Sequence, residues 1–504
     1  MDDLENSLKK ITKGAALIFL GLIISKILGY VYRILIARTG TEIYGLMSIG
    51  IAVFSLMTAI SLLGLDRGLL RYVSFYKGKE DLEKANEVIS FSFKITFFIS
   101  ILISIIFFIF SKQISLYFFH NQDLSIVFKI LAVFIPFSVF RELISNIFQA
   151  FQKIKYEIYS KNIIENITKI ILTIIFMIMG IKLIGFTIAY AFGILISSLT
   201  AFFFFKKKIF PSFKANLSIS SSLKKELFVY SLPLTLSILI TSIMNWTDTL
   251  MLGYFKTTSE VGIYNAALPT ASFLYIVPSM LLTLFVPILT ELYVREKKDI
   301  FEQIYKRVIK WIFLTNTILL GILYLFSKPI LKILWGNEYI PASTALIILS
   351  MGYFVGFLMT PSTRVLMVIK RTKLIFINTL IILIVNITLN FYLIPIYGIN
   401  GAAIATATAF LIRAILLFVE TILVVKIMPF NLKYVGILFS ALISLFLVKT
   451  LSSSVEVNFF YLIFFSIIFV IVYILLLIFT KSLEKEDIFI LNSIKEKLIN
   501  FRKD

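Results

Sequence analysis

The chain has 504 residues, of which 59% are hydrophobic and only 15% are charged, and its formal net charge is +21. Soluble domains are about half apolar and about a quarter charged, so this composition excludes an ordinary soluble protein. The absence of cysteine excludes disulfide scaffolds, thiolate metal sites and cysteine nucleophiles. A single histidine, His120, speaks against histidine-rich metal centres and most catalytic triads.

Apolar runs long enough to cross the roughly 30 Å hydrocarbon core of a bilayer recur along the whole chain. They predict an all-α integral membrane protein with fourteen transmembrane helices, near residues 14–36, 43–64, 88–110, 125–148, 162–180, 185–205, 227–251, 263–289, 308–327, 343–366, 374–394, 399–425, 435–448 and 459–480. The first run is too long, and its start too polar, for a cleaved signal peptide, so we expect it to remain as a helix.

The distribution of Lys and Arg predicts the orientation of these helices. The two ends and the even-numbered connections hold nearly five times as many basic residues as the odd-numbered connections. By the positive-inside rule, both termini are cytoplasmic and the protein is a multi-pass protein of the cell membrane. Because the charges are dispersed over short loops rather than gathered on one soluble face, the net charge does not indicate a nucleic-acid partner.

Catalytic signatures are missing from the sequence. It contains no Gly-rich phosphate loop, no HExxH motif and no nucleophile elbow, and its loops are too short to hold a soluble catalytic domain. We therefore expect a protein that is not an enzyme, that carries no cofactor or metal, and that acts as a monomer.

A basic, Ser-rich stretch divides the chain into two halves. It covers residues 206–226 and reads as a cytoplasmic linker between an N-terminal lobe, 1–205 with spans 1–6, and a C-terminal lobe, 227–434 with spans 7–12. Spans 13 and 14 follow in 435–480. The tail, 481–504, has apolar residues at helical spacing with lysines between them, and is either an amphipathic helix on the inner membrane surface or a solvated tail.

A short repeat relates the two halves. The segment Arg38–Glu42, followed by Ile43 and Tyr44, is matched by Lys256–Glu260, followed two residues later by Ile263 and Tyr264. Both copies fall on the predicted outer side, so the halves share one orientation. Parallel repeats of this kind recur in secondary transporters, which handle their substrate between the halves.

Four basic residues lie near mid-depth in predicted spans and indicate the charge of a transported substrate. They are Lys26, Arg33, Lys94 and Arg413. A Lys or Arg at a helix centre costs roughly 2.5–3.5 kcal/mol against lipid, so these side chains are expected to face water or a partner. A wet, electropositive cavity lined by them would take an anion, and phosphate or pyrophosphate suits such a site best.

Internal pairing is the alternative for these cations. Arg33 could pair with Asp248, and Arg413 could pair with Glu420 two turns later on its own span.

Three other basic residues in spans have simpler explanations. Lys129 and Lys169 lie close enough to span ends to extend their ammonium groups to the membrane surface. Arg141 is expected to pair with the adjacent Glu142.

Several motifs resemble one known family. They are Tyr230–Leu234, Asn245–Asp248, Leu252–Tyr254, Val261–Tyr264, Ala266–Ala267, Trp335–Tyr339, Asn386–Asn390, Leu393–Pro395, Tyr397–Gly398 and Gly401–Thr406. With these motifs the chain resembles the polysaccharide-export flippases of the multidrug/oligosaccharidyl-lipid/polysaccharide superfamily, which also contains lipid II flippases and MATE exporters. The resemblance implies a MATE-like arrangement of two six-helix lobes around a central cavity, plus two C-terminal helices, working by alternating access.

The resemblance also implies a cation site. Related lipid II flippases use an acid on span 7, paired polar residues on span 11 and a threonine on span 12, and the matching positions here are Asp248, Asn386, Asn390 and Thr406. Asn390 stands where that site has an acid. The two asparagines could instead form hydrogen bonds between helices.

The leading hypothesis is a flippase that moves polyprenyl-(pyro)phosphate-linked oligosaccharide from the cytoplasmic to the outer leaflet, for surface polysaccharide or glycoprotein assembly. Its partners would be that lipid, the membrane and a coupling Na⁺ or H⁺. The alternatives are an ion-coupled exporter of small molecules or drugs from the same superfamily, and a membrane enzyme of glycan assembly.

Overall fold

A computed structural model describes residues 21, 23–211, 213 and 221–483, and within these residues every regular element is a helix and no β-strand occurs. The described part therefore confirms the all-α prediction. The start of predicted span 1, most of the predicted linker and nearly all of the predicted C-terminal tail lie outside the described residues.

The first ten helices end at residue 255. They are α1 (23–37), α2 (Thr41–Leu62), α3 (Leu65–Gly78), α4 (Leu82–Phe119), α5 (Asp123–Val133), α6 (Ile135–Ala150), α7 (Lys155–Glu157), α8 (Glu165–Ile178), α9 (Leu183–Phe204) and α10 (Ser221–Phe255). Two π-helical segments, Ile158–Ile164 and Phe205–Ile209, precede α8 and follow α9.

Nine further helices complete the described chain. They are α11 (Thr258–Ala271), α12 (Ile276–Val294), α13 (Lys298–Leu325), α14 (Ser327–Leu334), α15 (Ser343–Leu358), α16 (Thr360–Val368), α17 (Thr372–Glu420), α18 (Lys433–Ser452) and α19 (Phe459–Phe479). Single 3₁₀ segments, Ser272–Tyr275 and Asn337–Ala342, precede α12 and α15, and a π segment, Thr421–Val425, follows α17.

Ten helices of the described residues are long and apolar enough to cross a membrane, or up to eleven when the bent pair α5 and α6 is taken as one span. Predicted spans 11 and 12 fall within α17 and the π segment after it, and Gly398 of α17 has φ 56° and ψ −130°. These angles are not helical, and they mark a kink between the two predicted spans. Helix length and apolar composition therefore support ten or eleven of the fourteen predicted transmembrane helices within the described residues.

By contacts between its Cα atoms, the chain divides into two compact units. The first comprises Met1–Ala266 and Thr379–Ala405, and the second comprises Ala267–Asn378 and Thr406–Asp504. The lobes predicted at 1–205 and 227–434 were defined from the linker and the sequence repeat, whereas these units are defined by contacts in the structure. The lobe division remains a prediction.

Within the first unit, α2 and α11 cross at two glycines. A Cβ atom built on Gly45 would lie 1.7 Å from the carbonyl oxygen of Thr258, and one on Gly262 would lie 2.0 Å from that of Thr41. Beside this crossing the hydroxyls of Thr41 and Ser259 are 2.6 Å apart. The spacing Thr-x₃-Gly is thus used twice, once by each copy of the predicted repeat, and small residues allow the backbones to approach as they do in membrane helix pairs.

The same unit joins α3 to α10 at a second close approach. A Cβ atom on Gly68 would lie 2.2 Å from the hydroxyl oxygen of Ser231, and one on Gly64 would lie 2.4 Å from the Ser231 carbonyl oxygen. Gly64 has φ 65°, a conformation that residues with a side chain rarely adopt. The glycines thus determine how closely α3 packs on α10.

The second unit is built around α13. Its buried side chains Tyr305 and Phe313 belong to a core cluster that also contains Tyr434 of α18 and Tyr473 of α19. The Tyr305 hydroxyl lies 2.6 Å from the hydroxyl of Ser362. The Tyr473 hydroxyl donates to the Leu314 carbonyl oxygen at 3.4 Å, so these two buried tyrosines combine an apolar ring with a hydrogen-bonded hydroxyl.

Candidate functional site

A buried polar cluster surrounds Asp248. The amide nitrogens of Asn390 and Asn386 donate to one carboxylate oxygen of Asp248 at 2.8 and 3.3 Å. The Tyr264 hydroxyl donates to the other at 2.5 Å. Each of these side chains is at most 7% exposed. The structure thus brings together three of the four residues predicted for a cation site, while Thr406 belongs to the second unit.

The hydrogen bonds of the Asp248 cluster join α10 to α17, as expected of an interhelical polar link. Asn390 also donates to the Asn386 side-chain oxygen at 3.2 Å, because residues four apart share one helix face. The side-chain oxygen of Asn390 is buried without a hydrogen-bond partner. An unused amide oxygen beside a carboxylate is the kind of ligand that hard cations prefer, so both interpretations of these residues remain predictions.

Tyr264 is the member of this cluster that the sequence analysis did not single out for the site. It lies on α11, 16 residues after Asp248. The available signal was its place in the repeat, at the end of the second copy. In the described part of the chain no group of three His, Cys, Asp or Glu residues could hold a metal ion, so any cation here would be bound by one carboxylate with neutral oxygens.

Arg33 lines a partly open cavity of about 250 Å³ in the first unit. Its other walls include Lys169, three tyrosines and four smaller polar residues: Tyr32, Tyr44, Tyr190, Ser48, Ser55, Asn166 and Asn265. The Tyr32 hydroxyl is buried without a hydrogen-bond partner. Apolar side chains, among them Met47 and Trp246, line the rest of the cavity, so its two cationic residues and the unused hydroxyl form a polar patch suited to an anionic group.

The four predicted cavity cations lie in different surroundings, and their joint role remains a prediction. Arg33 alone of the four is among the residues that line this cavity. Lys26 and Lys94 have exposed side chains. Arg413 is half-buried in the second unit, where its guanidinium lies 5.9 Å from the Phe410 ring. The second cation of the cavity is Lys169, which the sequence analysis assigned to a span end.

Lys169 is buried, contrary to the prediction that it reaches the membrane surface. Its ammonium nitrogen lies 2.6 Å from a Glu165 carboxylate oxygen and 3.8 Å from the centre of the Tyr190 ring. The i, i+4 pairing with Glu165 was visible in the sequence. A buried charge is tolerated when it is paired, and the ion pair and the ring together provide this for Lys169.

An ion-pair network continues behind Lys169. Arg141 pairs with Glu165 and, at 2.8 Å, with Glu142, which confirms the predicted pairing of neighbours. Lys161 binds the other oxygen of Glu142 at 2.7 Å. The network joins α6 to α8 and to the π segment before it, and its three cations outnumber its two carboxylates.

The two pairings proposed as alternatives for the cavity cations remain predictions. The hydrogen bonds described for Asp248 come from Tyr264 and the two asparagines. Glu420 accepts a hydrogen bond of 2.8 Å from the amide of Asn378.

Comparison with known proteins identifies the family. The model of the family described as Polysaccharide biosynthesis protein matches residues 11–293, and the MatE model matches residues 233–392. An uncharacterized membrane protein of Methanocaldococcus jannaschii is 26% identical over 427 residues, which are 80% of this chain and 82% of the relative. A protein of Haloferax volcanii, named for a flippase of low-salt glycan biosynthesis, Agl15, is 31% identical over 206 residues, 39% of this chain and 43% of its own.

Solved structures agree on the fold. The lipid II flippase MurJ in its inward closed conformation aligns with a TM-score of 0.76 at 20% sequence identity, covering 92% of this chain and 99% of the other. The first family model matches more than half of the chain, which confirms the resemblance seen in the sequence. The protein is therefore a multi-pass membrane protein that belongs to the Polysaccharide biosynthesis protein family, within the multidrug/oligosaccharidyl-lipid/polysaccharide flippase superfamily.

Proposed function

We propose that this protein translocates a polyprenyl-(pyro)phosphate-linked oligosaccharide from the cytoplasmic to the outer leaflet, for surface polysaccharide or glycoprotein assembly. The observation that carries the proposal is the cavity lined by both Arg33 and Lys169. Family membership and the name of the Haloferax relative support the same substrate class. The protein acts as a transporter of this lipid, not as an enzyme.

The proposed transport cycle needs the predicted topology. Of fourteen helices, with both termini in the cytoplasm, twelve form two six-helix lobes, 1–205 and 227–434, and two follow in 435–480. The lobes alternate between states open to either side. The polyprenyl tail stays in lipid while the phosphate-bearing headgroup crosses. Two parallel structural repeats with a site between them are a common basis for such a cycle.

Charge complementarity explains how the headgroup would be held. Arg33 offers planar, bidentate hydrogen bonds to phosphate oxygens, and Lys169 supplies a point charge. Lys26, Lys94 and Arg413 remain proposed contacts for other parts of the headgroup. Because Lys169 already has a carboxylate partner, Arg33 is the cation we expect to contribute most.

Replacing Arg33 tests this proposal. We expect Arg33→Gln to lower translocation about tenfold or more, because a charged hydrogen bond contributes roughly 1.5–3 kcal/mol. The measurement is the amount of lipid-linked oligosaccharide that remains on the cytoplasmic leaflet of cells depleted of the native protein. Lys129→Gln is the matched control, since Lys129 is exposed and lies outside the cavity. Equal accumulation in both variants would refute the role of Arg33, and no accumulation on depletion would refute the flippase.

The Asp248 cluster favours coupling to a cation, which an exporter of small molecules from the same superfamily would share. We expect Asp248→Asn to abolish any dependence of transport on a sodium or proton gradient, because it removes the carboxylate of the cluster. Glu420→Gln is the matched control, since Glu420 also accepts an asparagine hydrogen bond. The measurement is transport into vesicles with and without each gradient. Gradient dependence that survives in Asp248→Asn would contradict the cation site.

The identity of the cargo separates the remaining alternatives. Gradient-driven resistance to small molecules, with normal distribution of the oligosaccharide lipid, would indicate an exporter. Altered glycan chain length with intact translocation would indicate a membrane enzyme of glycan assembly.

A further inference from the structure

A second polar groove lies between α3 and α10, apart from the residues that line the Arg33 cavity. It has a volume of about 650 Å³ and is open on one side. Arg67, Arg71 and Ser74 line it from α3, and Ser237 and Thr241 line it from α10. Arginines at positions i and i+4 share one face of a helix, so both guanidinium groups border the same groove.

Aromatic contacts position Arg71. Its guanidinium carbon lies 4.2 Å from the centre of the Tyr230 ring and 5.9 Å from that of Tyr72. The two rings meet edge to face with their centres 5.9 Å apart. A guanidinium packed on a ring keeps the N–H groups at its edge available, and less freedom remains to be lost when a ligand binds.

Close contact between α3 and α10 beside the groove limits how far apart its two walls can lie. Gly64 and Gly68 pack against Ser231 of α10, one residue after Tyr230. Tyr230 is the first residue of the Tyr230–Leu234 motif. None of the residues of this motif is among those that line the Arg33 cavity. The motif therefore has two roles: Ser231 makes the close contact with α3, and Tyr230 supports the guanidinium of Arg71.

The charges of the groove are unequal. The Arg67 side-chain nitrogen Nε lies 3.6 Å from a carboxylate oxygen of Asp66, which offsets part of its charge. Arg71 has its guanidinium over two uncharged rings instead. We therefore expect Arg71 to contribute most of the positive charge that is available to a ligand in the groove.

We propose that this groove is a second binding site for a phosphate ester that carries hydroxyl groups, with Arg71 on the phosphate and the hydroxyls of Ser74, Ser237 and Thr241 on the sugar. The site rests on the proposed function in one respect: the predicted topology puts α3 on the cytoplasmic side, where the lipid-linked substrate would be collected. The same chemistry could also recognise the headgroup of an anionic phospholipid, and the experiment separates the two sources.

Binding by the full-length protein, without transport, tests the site. The protein is placed in phosphatidylcholine nanodiscs and titrated with geranylgeranyl diphosphate in one arm. In the other arm, dioleoyl phosphatidylglycerol replaces part of the nanodisc lipid and competes with that titration. We expect Arg71→Gln to weaken diphosphate binding about tenfold, Arg71→Lys to restore only part of it because lysine lacks the bidentate geometry, and phosphatidylglycerol to compete weakly.

The controls and outcomes are distinct. Arg295→Gln removes an exposed arginine elsewhere and is expected to bind as the unchanged protein does. Unchanged diphosphate affinity in Arg71→Gln would overturn the site, as would full competition by phosphatidylglycerol, which would indicate a membrane-lipid contact. Because the readout is binding, its failure leaves the translocation measured with Arg33→Gln standing, whereas failed translocation by the unchanged protein would refute the proposed function alone.

Discussion

A disulfide between cysteines introduced at Thr41 and Ser259 is expected to stop translocation almost completely, and its reduction is expected to restore it. The hydroxyl oxygens of these residues are 2.6 Å apart at the crossing of α2 and α11. A disulfide requires Cβ atoms about 3.5–4.5 Å apart, and the contact between oxygens bonded to these Cβ atoms makes the pair a candidate for one. The chain has no cysteine of its own, so only the introduced pair can form.

The effect is large because the crossing has no room to adjust. Gly45 and Gly262 bring the two backbones together so closely that neither position accepts a Cβ atom. In the proposed cycle this contact, on the predicted outer side, must open to release the substrate. A covalent bond across it would hold the protein in one state of the cycle.

The measurement compares oxidised and reduced protein in the same translocation assay, with the extent of cross-linking read from gel mobility. A second pair, Ser440→Cys with Thr480→Cys, is the matched control. It joins α18 to the residue that follows α19, and the two hydroxyl oxygens are 3.3 Å apart. That cross-link is expected to leave translocation unchanged. Full activity of the completely cross-linked Thr41–Ser259 pair would show that this contact stays closed throughout transport.

Replacement of Glu165 by glutamine is expected to destabilise the folded protein severely. Glu165 pairs with both Lys169 and Arg141, and each of these three residues is at most 7% exposed. Removing one partner of a buried pair leaves a charge without compensation and costs about 3–5 kcal/mol. This is a large part of the total of about 5–15 kcal/mol that stabilises a typical folded protein.

Thermal unfolding of the purified variant in detergent, followed by tryptophan fluorescence, measures this effect. Glu291→Gln is the matched control, because Glu291 pairs with Arg295 where both side chains are 60% exposed, and such pairs contribute about 0–1 kcal/mol. The double variant Glu165→Gln with Lys169→Met is expected to recover part of the lost stability, since one uncompensated cation is gone. Equal unfolding temperatures for Glu165→Gln and Glu291→Gln would show that the network does not stabilise the protein.

The Asp248 cluster could be predicted in part. Asn386 and Asn390 are one helical turn apart, so their shared face follows from the period of the helix alone. That this face meets Asp248, 138 residues earlier, came from the family resemblance. Tyr264 completes the cluster, and no local pattern could show that its hydroxyl reaches that carboxylate.

The cations show what the position of a residue along a span leaves open. Lys26 and Lys94 were chosen because they lie deep in apolar runs; their side chains are exposed, and their place in the cavity stays a prediction. Lys169 was set aside because it lies near a span end, yet it is buried beside Glu165 and lines the cavity with Arg33. Depth in a run estimates the distance from the membrane surface, but it does not tell whether that helix face meets lipid, water or another helix.

Membrane insertion and the all-helical class followed from the amino-acid sequence alone. Each depends on the total hydrophobicity of a short stretch of chain, and a run of about 20 apolar residues is sufficient for one span. The excess of basic residues in alternate connections predicts the orientation in the same way. The cavity of Arg33 and Lys169, the Arg71 groove and the crossing at Gly45 and Gly262 required the tertiary structure. Each of them depends on which faces of helices distant in sequence come into contact, and apolar periodicity leaves that choice open because lipid and protein neighbours are similarly apolar.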